Sequence, residues 1–549
     1  MDPKPLPAHP SLEQYKKQAK ELLKAYRSAD VETIRRVKRN HPRFEKLAEP
    51  GFDISKFALA DAQLVIAREH GFESWPKFTK RIEVINSEAA ARVNPVAAFI
   101  EAAIWHGTLD AAEAILAAHP EIAQSNIHVA AILGDDAAVR RFISADPRNV
   151  TKKEAPYDGD VLVYLCLSKY LRLDKTRSEA FMRAATALLD AGADPNTGFT
   201  AKDEYGDFET ALYGAAAVAQ HAELTRLLLE RGADPNDNET FYHAPETYDN
   251  EALKVLVESG KMRQDLLAGM LLRKADWHDY DGMKYLLEHG ADPNQMTMWG
   301  YTALHQALRR DNHLRNIELL LDHGADPSIK TTAEVRAPFT PDFGGKGQRS
   351  GFVIAAHRGR ADVLAALERR DSAPEFSGID RLIAACARGN AAAVNAIAAD
   401  EQFVKELVAE GGRLLAEFAG TGNTDGVRCL LDLGVPVDAL YEGDPYFDIA
   451  KDSTALHVAA WKAWPKTVKL LIERGANVNA LDAKGRTPLM LAVKACVDSY
   501  WTNKRSPESV EALLQAGASI SGVEFPCGYA EVDELLKSYA SNSAANARE

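Results

Sequence analysis

Along most of the chain, apolar residues recur at helical spacing in short runs that each end on a glycine: ATALLDAG, TRLLLERG, MKYLLEHG, IELLLDHG, VRCLLDLG, VKLLIERG and VEALLQAG. Three- and four-residue spacing gathers the leucines on one stripe, so every run predicts an amphipathic helix buried on one side. The glycine marks the stop, because a helix C-terminus turns through a left-handed conformation that a β-carbon penalises. The loop after each stop is equally regular. Gly192 to Asn196, Gly232 to Asn236 and Gly290 to Asn294 read GADPN, with looser versions at Gly324, Gly434, Gly475 and Gly517. Its proline lacks an N–H and restricts the residue before it, so the helix cannot resume. A threonine then opens the next helix as N-cap, in TALY at Thr210, TALH at Thr302 and Thr454, and TPLM at Thr487, where Pro488 suits the first helical position. The pattern predicts a unit of helix, tight turn, helix, glycine stop and extended loop.

Spacing makes the unit a repeat. Gly290 to Gly324 is 34 residues, Gly192 to Gly232 is 40, Gly434 to Gly475 is 41 and Gly475 to Gly517 is 42. These fit a period of about 33 with short insertions. TALHQALRRDNHLRNIELLLDHGADPS and TALHVAAWKAWPKTVKLLIERGANVNA carry the phrase T-P-L-H-x-A-A-x-x-G followed by V-x-x-L-L-x-x-G-A-x-x-N, and with it the chain resembles ankyrin-repeat proteins. Weaker copies are IHVAAILGDDAAVRRFI, VIAAHRGRADVLAALE and LIAACARGNAAAVNAIA. The resemblance implies a mainly α fold, a helix-turn-helix solenoid with short β-hairpin loops, in about 12 units over residues 91–522. The joints at 156–178, 237–250, 331–350 and 498–508 depart from the pattern.

The flanks are not repeats. Residues 1–90 predict a helical capping region, since the first repeat would otherwise leave an apolar face in water. Within it LADAQLVIAREHGFESWPKF resembles a segment found ahead of ankyrin arrays in bacterial proteins, and Phe72, Trp75 and Phe78 are expected to form its core. Residues 523–540 predict a C-terminal capping helix, and 541–549 a disordered tail.

Composition narrows the functional classes. With 46% hydrophobic residues the chain is globular, and it has neither an apolar run of membrane-spanning length nor an apolar leader at its start. Five scattered cysteines without a CxxC pair suit buried reduced thiols and a cytoplasmic location. The net charge is −14, but the first 85 residues hold 17 Lys and Arg against 12 Asp and Glu. An acidic body repels phosphate backbones, which argues against nucleic acid.

Enzyme signatures are incomplete. Asp342-Phe343-Gly344 and the adjacent GGKG spell fragments of kinase and phosphate-loop phrases without the motifs that must accompany them. DWHDYD at Asp276 to Asp281 sets His278 among three carboxylates, but lacks a second His at helical spacing or a Cys set to complete a metal site. His128, His305 and His457 occupy one slot of the repeat, which argues for architecture rather than general-base chemistry. No nucleophile elbow or glycine fingerprint is present. The sequence therefore nominates no catalytic residue, cofactor or metal.

A binding surface is sought in the slots the frame leaves free, between the stop phrase and the Thr cap and just before the inter-helix turn. These hold Met298, Trp299, Tyr301, Arg309 and Arg310; Lys451, Trp461 and Lys462; Lys484, Arg486 and Lys494; and, in the first unit, Trp105. Trp, Tyr, Met and Arg are interface-anchor types, and the basic set suggests a partner with an acidic epitope. The expectation is a non-enzymatic, monomeric scaffold that binds a protein partner through its concave face. The alternative is a small-molecule or catalytic activity housed in the insertions at 237–250 or 331–350.

Overall fold

Why three of the loops carry an asparagine after GADP is answered by the computed structural model, which describes residues 3–7, 9–28, 30–42, 44, 57, 59–202, 206–332, 348–370, 376–499 and 501–546. Asn196 Nδ2 donates to the Gly232 carbonyl at 3.1 Å, and its Oδ1 accepts from the Asp234 N–H at 2.8 Å. Asn236 does the same with the Lys261 carbonyl and the Arg263 N–H, at 3.0 and 2.8 Å. Asn479 repeats the arrangement on Gly517 and Ser519 at 3.3 and 2.8 Å, and Asn294 donates to Gly324 at 2.8 Å. In these four loops one side chain thus stitches the loop to the next, satisfying carbonyls that the glycine stop leaves without helical partners. The glycines themselves sit at positive φ, from 85° to 103° at Gly192, Gly232, Gly290, Gly324, Gly434, Gly475 and Gly517.

Helix starts follow the threonine reading. Thr210 Oγ1 accepts from the Tyr213 N–H at 2.9 Å, and Thr487 Oγ1 from Met490 at 3.2 Å. The repeated histidine closes the same junction: Nδ1 of His305 and of His457 lies 2.9 Å from the Oγ1 of its threonine, and His457 Nε2 reaches the Ala480 and Arg486 carbonyls. His128 binds the Lys152 carbonyl at 2.7 Å. The slot just before each second helix has its own grammar. Asp135, His221, Asp279, Asn390 and Asn423 each accept from the N–H three residues on. Arg360 and Trp464 stand in that slot before Ala361–Glu368 and Pro465–Glu473 and cap nothing, forgoing about 1 kcal/mol at each site.

The chain divides into two units, Met1–Pro50 with Leu59–Ala307 and Leu319–Ala325, and Gly51–Ala58 with Leu308–Glu318 and Asp326–Glu549. In the first, helices Leu12–Arg27, Val31–Asn40, Leu59–Glu69 and Trp75–Ala91 close around Phe78, which is buried among Tyr15, His70, Phe72 and Trp75 at ring separations of 5.0 to 5.5 Å. Trp75–Ala91 packs on Pro95–Ala103 and Asp110–Ala118. First helices then stack in turn: Ile127–Leu133, Val161–Cys166, Ala211–Tyr213 running into a π turn at Gly214–Val218, and Thr240–His243. The hairpin loop expected of the repeat appears as strands β1 (Gly198–Thr200) and β2 (Phe208–Thr210), antiparallel with Phe199 opposite Glu209.

In the second unit Gly351–His357, Ile379–Ala387, Gly411–Gly420, Ala455–Trp461 and Pro488–Val497 supply the inner layer. The last helix runs Ala530–Asn546, so it continues through six residues expected to be a disordered tail; Ala544 and Ala545 among them are of the best helix-forming type. The Asp342-Phe343-Gly344 phrase lies outside the described residues, as does most of the 331–350 joint.

Replacing Asn196 with Ala removes two inter-loop hydrogen bonds and should destabilise the fold by about 1–2 kcal/mol. The midpoint of urea unfolding should fall accordingly; an unchanged midpoint would deny the stitch an energetic role.

Candidate interaction surface

Trp105 follows Pro95–Ala103 in a left-handed conformation (φ 71°) that non-glycine residues rarely take, held by its N–H donating to the Leu167 carbonyl at 2.9 Å. So placed, its ring meets Phe199 at 5.7 Å, Tyr157 at 6.4 Å and Tyr213 at 6.3 Å, while Tyr157 and Phe199 stack at 4.8 Å. The contacts continue. Tyr213 lies 5.7 Å from His243, His243 4.7 Å from Tyr242, and Tyr242 5.7 Å from Trp299, whose ring also meets Phe241 at 6.4 Å. This is an unbroken aromatic wall across successive repeats of the first unit. Trp105, Tyr157, Tyr242, His243 and Trp299 are half-buried in it, with Phe199, Tyr213 and Phe241 behind them.

Charged groups of both signs flank it. Beside Trp105 stand His106, Lys169, bonded to the Ala102 carbonyl at 2.7 Å, and Arg172, bonded to the Gly107 carbonyl at 2.5 Å; Lys202 lies 5.6 Å over the Tyr157 ring. Burial, reinforced by Arg172, holds the His106 ring below its ordinary pKa. Beside Trp299 runs an ion chain. His243 sits 3.3 Å from Glu239 and 2.9 Å from Glu246, Glu246 pairs with Arg273, and Arg273 bonds Asp276 at 2.6 Å while lying 4.2 Å over the Tyr242 ring. Burial pulls His243 down, but the two carboxylates outweigh it and raise the ring to about 9. His243 is therefore an imidazolium at neutral pH.

Two carboxylates of DWHDYD serve structure: Asp276 also accepts from Gln306, and Asp279 caps Tyr280–Glu288 and pairs with the buried Lys274 at 2.8 Å. Among the described residues, no three His, Cys, Asp or Glu side chains are grouped to hold a metal.

The free-slot residues scatter. Trp105 and Trp299 join the wall, and Met298 beside it is exposed at 69%. Tyr301, Arg309, Trp461 and Lys462, expected at the surface, are buried at 6%, 8%, 4% and 3% exposure. Spacing alone does not show that neighbouring elements cover these inner-helix positions. Trp461 donates Nε1 to the Phe447 carbonyl at 2.6 Å, and Lys462 pairs with Asp311 with its ammonium 3.8 Å over the Phe447 ring. Asp311 is held from two sides, since Arg358 reaches it at 2.8 Å and also binds Glu417 at 3.1 Å. Burial works against the Asp311 carboxylate, but Arg358 and Lys462 together hold it well below the usual range; at Glu417 burial wins and pushes the carboxyl up. Arg310 lies 3.3 Å over the Tyr446 ring. Lys484, Arg486 and Lys494 converge on Asp448, and Arg486 also takes Asp482 at 2.7 Å, so this basic set is largely neutralised within the chain; Lys451 is exposed.

Sequence reasoning missed Tyr157, Phe199, Tyr213 and Arg273. Phe241, Tyr242 and His243 fall in the irregular 237–250 insertion, where FYHAPETYDN mixes aromatics with carboxylates.

Comparison with known proteins gives matches to the family model "Ankyrin repeats (3 copies)" at residues 270–331 and 437–522, and to "Ankyrin repeat" at 207–239. Serine/threonine-protein kinase 12 of Arabidopsis thaliana is 37% identical over 94 residues, 17% of this chain and 19% of that protein. An ankyrin repeat protein of Rickettsia bellii is 31% identical over 133 residues, 21% of this chain and 52% of that protein, and human Rabankyrin-5 is 38% identical over 69 residues, 13% and 6%. The matches therefore span about half of one curated relative and a fifth or less of the others. The solved human ASB11 ankyrin repeat domain aligns at 22% identity over 51% of this chain and 98% of that chain, with a TM-score of 0.22.

Because the raised His243 pKa reports stabilisation of the charged ring, that stabilisation is fully present below the unfolded value of about 6.5 and is lost as pH rises through about 9. Unfolding measured from pH 6 to 10 should show this loss in the wild type and not in His243→Gln. Identical pH profiles for the two proteins would refute the paired imidazolium.

Proposed function

Since the chain is an ankyrin-repeat protein, we propose that it is a non-enzymatic interaction scaffold that binds a protein partner along the aromatic wall of the first unit. The carrying observation is the continuity of that wall: half-exposed rings of Trp105, Tyr157, Tyr242 and Trp299 on one run, backed by fully buried aromatics. Rigid aromatic side chains bury much area at low entropic cost, the property of interface anchors. Met298 extends the apolar strip.

The flanking charges give the partner's chemistry. An apolar segment would lie along the rings, with an acidic group toward His106, Lys169 and Arg172. That restricts the acidic epitope to the Trp105 end, since the Lys484, Arg486 and Lys494 side chains already face Asp448. The 237–250 insertion serves this reading directly by supplying Phe241, Tyr242 and His243 to the wall. A monomeric cytoplasmic protein is part of the proposal, supported by five free cysteines, of which Cys166, Cys386 and Cys496 are buried. Among the described residues, no helix is long and apolar enough to cross a membrane.

Affinity capture with the full chain, quantified for each retained protein, tests the proposal. Trp299→Ala combined with Tyr242→Ala should lower retention of the partner about tenfold or more, a loss of about 1.4 kcal/mol, while Lys451→Ala should leave it unchanged. Equal retention by wild type and the double variant would sink the wall as the binding surface.

A further inference from the structure

Arg360 and Trp464 of the second unit depart from the capping grammar of the repeat, and both stand close to a group of cations. Arg360 takes the slot that elsewhere holds an Asp, Asn or His cap. Its Nε and Nη2 each bind Asp362 at 2.8 Å, which leaves Nη1, on a side chain 7% exposed, with no hydrogen-bond acceptor among the described residues. Buried donors are almost always satisfied, so an orphan of this kind calls for an explanation. Trp464 fills the same slot three helix pairs further along and serves as a platform: the Lys504 ammonium lies 4.1 Å over its ring and 5.4 Å from that of Trp501. Trp464 is locked in turn, with Nε1 donating to the Gly420 carbonyl at 2.8 Å and its ring so near Gly422 that a β-carbon there would come within 2.5 Å.

The balance of charge in this corner is positive. Burial first, and then the cations Lys504, Arg315 and Arg360, hold the His313 ring below its ordinary pKa. The charged groups acting on Lys504 are Lys462 and Arg360 against the single carboxylate of Asp311, so its ammonium too is held below the usual range, by burial first and then by its cationic neighbours. Asp311 is already engaged by Arg358 and Lys462. Lys504 forms no ion pair among the described residues. A fold that buries an arginine nitrogen without an acceptor, rests a lysine on two indoles instead of a carboxylate, and sets a histidine among cations has assembled the counterpart of an anion.

We propose that this corner is an anion-binding site for a phosphoryl group, with Arg360 Nη1, the Lys504 ammonium and the His313 ring N–H as its donors. A phosphoryl group offers three terminal oxygens and a charge approaching −2, so each donor finds its own acceptor; a carboxylate offers two oxygens and one charge. The group can come as inorganic phosphate or on a phosphomonoester. The site lies wholly in the second unit and is independent of the aromatic wall.

Thermal unfolding of the full chain, monitored at pH 8 and constant ionic strength against chloride, tests it with inorganic phosphate, O-phosphoserine and acetate as probes. A ligand that binds the folded state raises the melting temperature saturably. Inorganic phosphate or O-phosphoserine should do so, and whichever has the lower midpoint identifies the source. Lys504→Gln and His313→Ala, at half-buried and exposed positions, should keep the fold and raise the midpoint about tenfold, as should Arg360→Lys, which retains the charge but loses the third nitrogen. Lys405→Gln, an exposed lysine that pairs with Glu401, should behave as wild type. No saturable shift beyond chloride, an equal shift in Lys504→Gln, or an equal response to acetate would each overturn the proposal.

Discussion

No helix pair in this chain can bury its own apolar stripe, so the whole structure depends on how one pair is locked to the next. Packing supplies most of the energy, but packing alone does not fix the spacing of loops whose backbone groups have no helical partners. The lock is the asparagine of the loop phrase. Asn196, Asn236 and Asn479 each close one carbonyl and one N–H of the following loop. The glycine before it and the threonine and histidine after it shape a repeat; the asparagine joins two. Residues displayed beside these loops, Met298 and Trp299 among them, are held in register by it.

The aromatic wall depends on that register. Rings contributed by residues as distant in sequence as 105, 157, 213, 242 and 299 meet at 5.7 to 6.4 Å because stacking brings loop and first-helix positions of successive repeats side by side. The wall also carries strain and ionisation that an ordinary core avoids, in the left-handed Trp105 and the charged His243. Both are the kind of departure from local preference found where a surface serves binding.

The frame was legible because it is local. Glycine stops and threonine caps act within a few residues, and each stands in the structure where spacing puts it. The surface was only half legible. Trp105 and Trp299 were found because they fill slots on which the frame makes no demand, yet the same logic chose Trp461 and Lys462, which are buried. Trp461 is covered by Phe447 from the irregular loop before its helix, and the charge partner of Lys462 is remote: Asp311 lies 151 residues away, and Arg358, the other partner of Asp311, 47 from it. No periodicity in the sequence encodes a contact of that span. The asparagine lock escaped for a milder reason, since its partners lie one repeat on.

The Asp311 clasp has a consequence for how this chain can change over time. Repeat arrays commonly grow and shrink by gaining or losing whole units, because each unit meets only its neighbours and the array closes over the gap. Between Asp311 and Lys462 that freedom is gone. An added unit would draw the two charges apart and a deleted one would drive them past each other, leaving a buried carboxylate short of a partner in either case. The number of helix pairs in that stretch is thereby held constant by electrostatics, while the rest of the array stays open to insertion.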